Sequence, residues 1–381
     1  MPVLDFQVPS LILYGNESLQ RLPEYATPNQ EKIVIVAEKK ATEFGITQKI
    51  KRLLESYAYD IITYEIPSSS TTKELFEGVN IVKSARSDVV VGIGGGNVLS
   101  VAKCIAQFST QEVTEENLKG YKKLAIKKVR YIEVPFVQTI NWGLMPITYV
   151  IDETDKIRKP YADKESVASA IIIDPALTEE IPLNDVVYSS LEALAYAFDS
   201  YISKKANPIS DSFSIKAIEY ISVNLKRLAV EPANTKLKGN LSVGALLASL
   251  STCFSSLGLN AACGMGLETS SGISSTIGTS IMLPHIMEFN LTAAANRFIQ
   301  IAMALGEKVT EVTVIEAAIM AIEAIRKLML ELHIPQRLSE YNITEDKIDP
   351  TGKVASQYEF LNYIPRPAGR NEVCEILSAA M

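Results

Sequence analysis

The sequence predicts an α/β domain built on a parallel sheet, followed by an all-helical domain, and three observations predict it. Short β-branched runs alternate with amphipathic stretches through the first 175 or so residues, the order that produces a parallel, doubly wound sheet with helices on both faces. Within that stretch an apolar run ends in a cluster of glycines and passes straight into a helical pattern. After Ile171, Ile172, Ile173, Asp174 and Pro175 the character changes, and nearly every later segment reads as a helix rich in Ala, Leu, Ile and Met. The expected domains are therefore residues 1–175 and 176–381.

Lys32 to Ala37, Asp60 to Glu65, Asp88 to Gly92 and Val129 to Val134 read as strands, with helical patterns between them. A further hairpin is expected around Pro146 to Lys159. At 381 residues and 47% hydrophobic content the chain is too long for one ordinary core, which agrees with two globular domains. No internal repeat, low-complexity tract or long linker interrupts it.

Composition excludes several classes of function. The 37 basic and 44 acidic residues are interspersed, so the electrostatic footprint of a nucleic-acid partner is missing. The stretch MPVLDFQVPSLILYG has no basic flank followed by a long apolar run, and no other run approaches the ~20 apolar residues of a membrane span. A cytoplasmic protein without membrane partners is the expectation. Cys104, Cys253, Cys263 and Cys374 are scattered, which suits reduced thiols and small core residues better than a disulfide framework.

The strongest local signal is DVVVGIGGGNVLSVAK, Asp88 to Lys103, in which a strand runs through Gly92, Gly94, Gly95 and Gly96 into a helix. Glycines let the backbone turn and approach a ligand closely, and the free N–H groups at the start of the next helix attract a pyrophosphate. A dinucleotide is the natural occupant; a tight turn without a ligand is the alternative. Glu38, directly after the Lys32–Ala37 strand, stands where a carboxylate accepts hydrogen bonds from the adenosine ribose and repels a 2′-phosphate. It favours NAD(H), with NADP(H) still possible, although a surface role beside Lys39 and Lys40 is also open.

These pieces resemble the iron-dependent alcohol dehydrogenase superfamily, which includes glycerol dehydrogenases and, more distantly, dehydroquinate synthases. The resemblance covers nearly the whole chain. It is carried by GGGNVLSVAK at Gly94 to Lys103, IIIDPALT at Ile171 to Thr178, LEALAYAFDSYI at Leu191 to Ile202, MLPHIMEFN at Met282 to Asn290 and NRFIQIAMALG at Asn296 to Gly306. Pro365, Arg366 and Pro367 add to it. It implies a dehydroquinate synthase-like fold, with a dinucleotide-binding N-terminal domain, a helical C-terminal domain and a catalytic cleft between them. The family usually places one divalent metal in that cleft, held by an Asp and by histidines. The resemblance also adds Thr139 to the cofactor contacts Gly94, Gly95, Gly96, Asn97 and Glu38, since the family has a Ser or Thr near there; Lys159, or else Lys156, is a further candidate.

The ligand positions are where this sequence departs. The family segment Gly-x-Asp-Ala-Leu-x-His-Ala-x-Glu has Glu192 at the Asp, Tyr196 at the His and Asp199 at the Glu. Counting back from Leu283-Pro284-His285 places Ala261, Met265 and Ser275 at the other histidine positions, and none of these replaces an imidazole. The chain has only two histidines, His285 and His333, both expected to pack or cap. A carboxylate-only site from Glu192, Glu268 and Asp199 is conceivable for a hard ion, but the expectation is that no metal is bound. Asn141, followed by Trp142, stands where glycerol dehydrogenases have an Asp that contacts substrate hydroxyls, and Ser100 replaces an Asp of the glycine-helix motif.

Without a Lewis acid, hydride transfer to a carbonyl needs another device. Tyr196 is one candidate proton donor, sharing a helix face with Glu192 and Asp199; simple filling of space is the other role open to it. A protonated C=N substrate is already electrophilic, and carboxylates would attract it. The expected activity is an NAD(H)-dependent, metal-independent reduction of a small carbonyl or imine, with Asn141, Glu192, Tyr196 and Asp199 as catalytic candidates. A non-catalytic nucleotide-binding relative and an ordinary metal-dependent alcohol dehydrogenase are the alternatives, and a homodimer or higher homo-oligomer is the default assembly.

Overall fold

A computed structural model describes residues 10–110, 129–162 and 166–381; residues 1–9, most of the stretch MPVLDFQVPSLILYG, lie outside them. The chain divides into two compact units, Met1–Ile181 and Pro182–Met381. The first contains the strands β1 (Leu11–Tyr14), β2 (Lys32–Glu38), β3 (Asp60–Ile66), β4 (Val89–Gly94), β5 (Arg130–Pro135), β6 (Ile147–Ile151), β7 (Arg158–Ala162) and β8 (Ala170–Ile173). Its described helices are α1 (Leu22–Ala26), α2 (Lys39–Glu43), α3 (Ile46–Glu55), α4 (Thr72–Ala85) and α5 (Gly96–Phe108).

Six strands form one sheet in the order β1-β8-β5-β4-β2-β3, and every neighbouring pair is parallel. The sheet has the predicted class. Val89, Val90, Val91 and Ile93 of β4 are all fully buried, because a central parallel strand is covered on both faces and so reads as a continuous apolar run. β6 and β7 form the expected hairpin, paired antiparallel from Ile147↔Ala162 to Ile151↔Arg158. β1 and β8 are not among the strands expected from patterning. β1 pairs with β8 at the sheet edge and exposes Leu11 and Tyr14, so its four residues give neither a long apolar run nor a clear alternation.

The connection into α4 is fixed by a capping box. The Thr71 hydroxyl accepts from the Lys73 N–H, and Glu74 accepts the Thr71 N–H at 2.8 Å. The same threonine donates to Glu153, whose own N–H donates to Thr72 Oγ1. One helix start therefore anchors the hairpin.

The second unit is helical among its described residues: α6 (Leu183–Ile202), α7 (Pro208–Val230), α8 (Thr235–Cys253), α9 (Leu259–Ser271), α10 (Ser275–Asn290), α11 (Ala295–Ala304), α12 (Val314–Glu331), α13 (Ile348–Ala355) and α14 (Arg370–Ala379). From Ser189 to Ile202 α6 is buried on every side, the signature of a helix packed among other helices. Close approach explains two glycines here: a Cβ on Gly244 would meet Ile221 at 2.4 Å, and one on Gly264 would meet Thr279 Oγ1 at 2.0 Å. No helix of the described residues is long and apolar enough to cross a membrane.

Thr71→Ala removes both the α4 cap and the tie to Glu153. It is expected to cost about 1–2 kcal/mol of unfolding free energy, measured by urea denaturation, and Thr71→Ser should recover most of the loss.

Candidate functional site

The glycine turn sits where β4 ends and α5 begins. Its glycines serve close approach rather than unusual dihedrals, since Gly95 lies in the extended region and none of Gly92, Gly94, Gly95 and Gly96 has a positive φ. A Cβ on Gly94 would stand 2.7 Å from Val98, and one on Gly96 would stand 2.8 Å from Thr139 Oγ1 and 3.4 Å from Trp142 Nε1. Thr139 and Trp142 thus lie directly over the start of α5, whose first-turn N–H groups have no intrahelical acceptors. Ser100 lies deeper in α5, fully buried, with its hydroxyl unpartnered.

Glu38 does not open a solvated stretch. Its side chain is buried and turned onto the turn, where Oε2 accepts the Gly95 N–H at 2.8 Å and Oε1 accepts the Ser68 hydroxyl. A carboxylate here occupies a donor that a phosphate or ribose oxygen could otherwise use, and it adds negative charge within reach of either. Asn97 also works within the protein: its amide nitrogen donates to the Ser68 and Ser70 carbonyls, each at 2.8 Å, and its oxygen accepts from Arg158 at 3.1 Å.

The hairpin presents a different cation from the one expected. Lys159 is held by Asp152 at 2.7 Å and Asp155 at 2.9 Å, and Lys156 pairs with Glu153 at 3.0 Å. Arg158, buried and bonded to Asn97, is the cation that reaches the start of α5. The alternation of β7 was the available signal, since Arg158 and Lys159 must point to opposite faces.

Asn141 is buried, precedes the 3-10 turn Trp142–Leu144, and hydrogen-bonds the Glu133 carboxyl. Patterning missed Glu133, which lies in the apolar run of β5. It is fully buried, and burial pushes its carboxyl up to about 7 despite the Gly143 N–H, the Lys103 charge and the Tyr131 and Asn141 side chains, all of which favour ionisation.

In the second unit Glu192 and Tyr196, one turn apart on α6, meet as expected: the phenol donates to Glu192 Oε1 at 3.0 Å, and Thr276 of α10 donates to Oε2 at 3.1 Å. All but a few per cent of Glu192 and Tyr196 is buried. Asp199 is directed elsewhere. It accepts the Asn260 N–H at 3.0 Å, the Asn260 side-chain amide at 2.8 Å and the Ala261 N–H at 3.4 Å, so it caps the N-terminus of α9. A Cβ on Gly258 would come within 2.7 Å of its carboxyl carbon. The shared three-residue face therefore reduces to the pair Glu192 and Tyr196.

These residues do not fit a metal. Glu192 is engaged by two hydroxyls, α9 carries Ala261 and Met265, and α10 begins with Ser275. Asp199 meets α9 at Asn260 whereas Glu268 lies eight residues further along that helix, a rise of about 12 Å, so the carboxylate-only site is not assembled. Among the described residues no group of three His, Cys, Asp or Glu side chains is placed to hold an ion. His285 faces the Gln336 carbonyl at 3.3 Å, and burial lowers its pKa. Cys104 and Cys263 are buried, and burial pushes the Cys104 thiol up to about 12, as inert core cysteines require.

Comparison with known proteins places this geometry among relatives. The family model described as iron-containing alcohol dehydrogenase matches residues 9–175, and that described as the C-terminal part of the Fe-containing alcohol dehydrogenase family matches residues 186–381. The chain is 24% identical over 382 residues to a 1,3-propanediol dehydrogenase of Citrobacter freundii, covering 99% of each chain. It is 22% identical over 352 residues to an NAD-dependent methanol dehydrogenase of Bacillus methanolicus, covering 92% of each. Among solved structures, a 1,3-propanediol oxidoreductase superposes with a TM-score of 0.93 at 22% identity over 100% of both chains. A sulfoacetaldehyde reductase from Bifidobacterium kashiwanohense in complex with NAD+ gives 0.88 at 18% identity, covering 100% of this chain and 99% of that one. At these identities the structural likeness establishes the fold.

Burial pushes the Asp199 carboxyl up to about 7 against its three donors. The native state then keeps a proton that the unfolded chain has released, so this group's contribution to stability declines as pH rises from about 4 to 7 and levels off above. Asp199→Asn should flatten that decline in melting experiments between pH 5 and 8. Asp199→Ala, which strands the α9 donors, should cost about 2–4 kcal/mol.

Proposed function

Since the chain belongs to the iron-containing alcohol dehydrogenase family, we propose that it is an NAD(H)-dependent oxidoreductase that reduces a small carbonyl or imine without a metal ion. The observation that carries this proposal is the Glu192–Tyr196–Thr276 cluster. At the positions where the resemblance implies metal ligands, a carboxylate is held by two hydroxyls, with Ala261, Met265 and Ser275 in place of imidazoles.

Nucleotide binding is supported by the glycine turn in the first unit. Gly94, Gly95, Gly96 and Thr139 bring backbone and one hydroxyl together at the start of α5, an arrangement suited to a pyrophosphate. Asn97 and Arg158 brace that start from the hairpin side. Glu38 supports NAD(H) over NADP(H), because its carboxylate can exchange the Gly95 N–H for ribose hydroxyls whereas a 2′-phosphate would meet like charge. The Bacillus methanolicus relative carries NAD-dependence in its name. Lys159, tied to two aspartates, is assigned to holding the hairpin turn.

When bound, the nicotinamide supplies the hydride. Tyr196 then supplies the proton that a carbonyl oxygen takes up as its carbon is reduced. Glu192, 3.0 Å from the phenol oxygen, orients that O–H and favours a cation beside it, which is why a protonated imine is included as a substrate class. Asn141, bonded to Glu133, acts by shaping the turn that carries Trp142. A nucleotide-binding relative without turnover remains the second reading, favoured by the burial of the Tyr196 hydroxyl against Glu192.

Protein purified without added metal and treated with chelator is expected to bind NADH more tightly than NADPH by fluorescence titration, and to oxidise NADH with members of a ketone and imine panel. Tyr196→Phe should lower kcat by about 10²–10⁴-fold and leave NADH affinity unchanged. Turnover that requires added zinc or ferrous ion would overturn the metal-independent assignment, and NADH binding without turnover across the panel would favour the second reading.

A further inference from the structure

The peptide group between Trp142 and Gly143 lies between two buried opposite charges. Its carbonyl accepts from Lys103 Nζ at 2.9 Å, and its N–H donates to Glu133 Oε2 at 2.7 Å. Lys103 Nζ also donates to the Met145 carbonyl, at 2.5 Å. Lys103 is 1% exposed and Glu133 fully buried, so neither charge is screened by solvent. The peptide dipole is aligned with both, its oxygen toward the cation and its N–H toward the anion. This peptide also positions the Trp142 indole, whose Nε1 faces Gly96 and whose ring lies 5.8 Å from that of Tyr149.

We infer that Glu133 is a positioning residue that, together with Lys103, clamps the Trp142–Gly143 peptide and thereby holds Thr139 and the Trp142 indole against the glycine turn. The clamp is a property of the first unit alone; its consequence for nucleotide binding rests on the function proposed above. A Cβ on Gly143 would come within 3.0 Å of Glu133 Oε2 and 2.7 Å of Ala168, so the anion reaches this peptide only because residue 143 lacks a side chain.

The clamp responds to pH through Glu133. Of the groups facing it, Tyr131 on the same strand has one proton to share between the Leu99 carbonyl at 3.1 Å and Glu133 Oε2 at 3.2 Å, and burial raises its pKa well above the ordinary range. α5 contributes the Lys103 charge and the neutral Cys104 thiol, the turn contributes Asn141, and the neighbouring strands β4 and β8 bring only Gly, Val, Ile and Ala. Oε1 is buried with no hydrogen-bond partner. Above about pH 7 the carboxylate attracts the Gly143 N–H as an anion. As pH falls through that value it gains a proton, the bond loses its charge assistance, and the attraction between Glu133 and Lys103 across the peptide is lost.

Trp142 is the single tryptophan of the chain, so its fluorescence reads the turn directly, with no cofactor. In the full-length wild type its emission is expected to titrate with a midpoint near 7, while Glu133→Gln, which keeps an oxygen acceptor but no charge, is expected to show a flat profile from pH 6 to 8. NADH affinity should weaken in the wild type by about tenfold between pH 8 and 6, the difference between a charge-assisted and a neutral hydrogen bond, and should be constant in the variant. If Glu133→Gln does not fold, Tyr131→Phe, which removes one donor from the carboxylate, should move the fluorescence midpoint to higher pH. An indole signal that is flat in the wild type, or that titrates alike in both proteins, overturns the clamp, as does an unmoved midpoint in Tyr131→Phe. A titrating indole with pH-independent NADH affinity overturns its coupling to binding. If NADH does not bind the wild type at any pH, the nucleotide proposal fails while the indole titration still decides the clamp.

Discussion

Close backbone approach at the end of β4 is the constraint on which the first unit depends. Gly92, Gly94 and Gly96 each lack a Cβ that would collide with Ala102, Val98 and Thr139 respectively. With those atoms absent, α5 lies near enough to the sheet for Lys103 to reach the Trp142 and Met145 carbonyls, and for Tyr131 to reach Leu99. The loop 139–145 is then built onto the helix start. The hairpin arrives from the other side, through Arg158 on Asn97 and Glu153 on Thr71. The same glycines that permit this packing set the start of α5 directly beneath Thr139 and Trp142, with the Gly95 N–H donated to Glu38.

Buried charge is used differently in the two units. In the first, Lys103 and Glu133 are bridged by a peptide rather than joined directly, so each gains a dipolar partner as well as a counter-ion. In the second, Asp199 is held by the N-terminus of α9 through Gly258, Asn260 and Ala261, and burial outweighs these donors in setting its pKa. Both carboxyls are therefore poised near neutrality by burial working against good donors. Glu192 differs again, since its two partners are hydroxyls that can donate or accept.

Much of the architecture was legible in the residues. β2, β3, β4 and β5 follow β-branched runs, each within a residue or two of its expected limits, and the run is most continuous in β4, which is covered on both faces. β1 was hidden, for its four residues become a strand only by pairing with β8. In the site, the i,i+4 spacing was enough to bring Glu192 to Tyr196. The same helix geometry suggested Asp199 as a third member, yet it faces Asn260 on another helix. Lys159 and Arg158 are neighbours in sequence, and strand alternation sends them to different partners, two hairpin aspartates for one and Asn97 for the other.

The sequence by itself determined the class of fold, the glycine-rich turn between a buried strand and a helix, and the shortage of imidazoles that leaves two histidines in 381 residues. Those follow from composition and local periodicity, which tertiary packing does not alter. Only the tertiary structure decided which polar side chains face a site and which serve the fold. Glu38 turns onto Gly95, Asp199 caps α9, and Glu133, hidden in an apolar run, opposes Lys103 across one peptide. The physical reason is that a buried polar group must find its partners wherever the packing leaves them: Gly143 lies 10 positions from Glu133, Gly95 57 from Glu38 and Ala261 62 from Asp199.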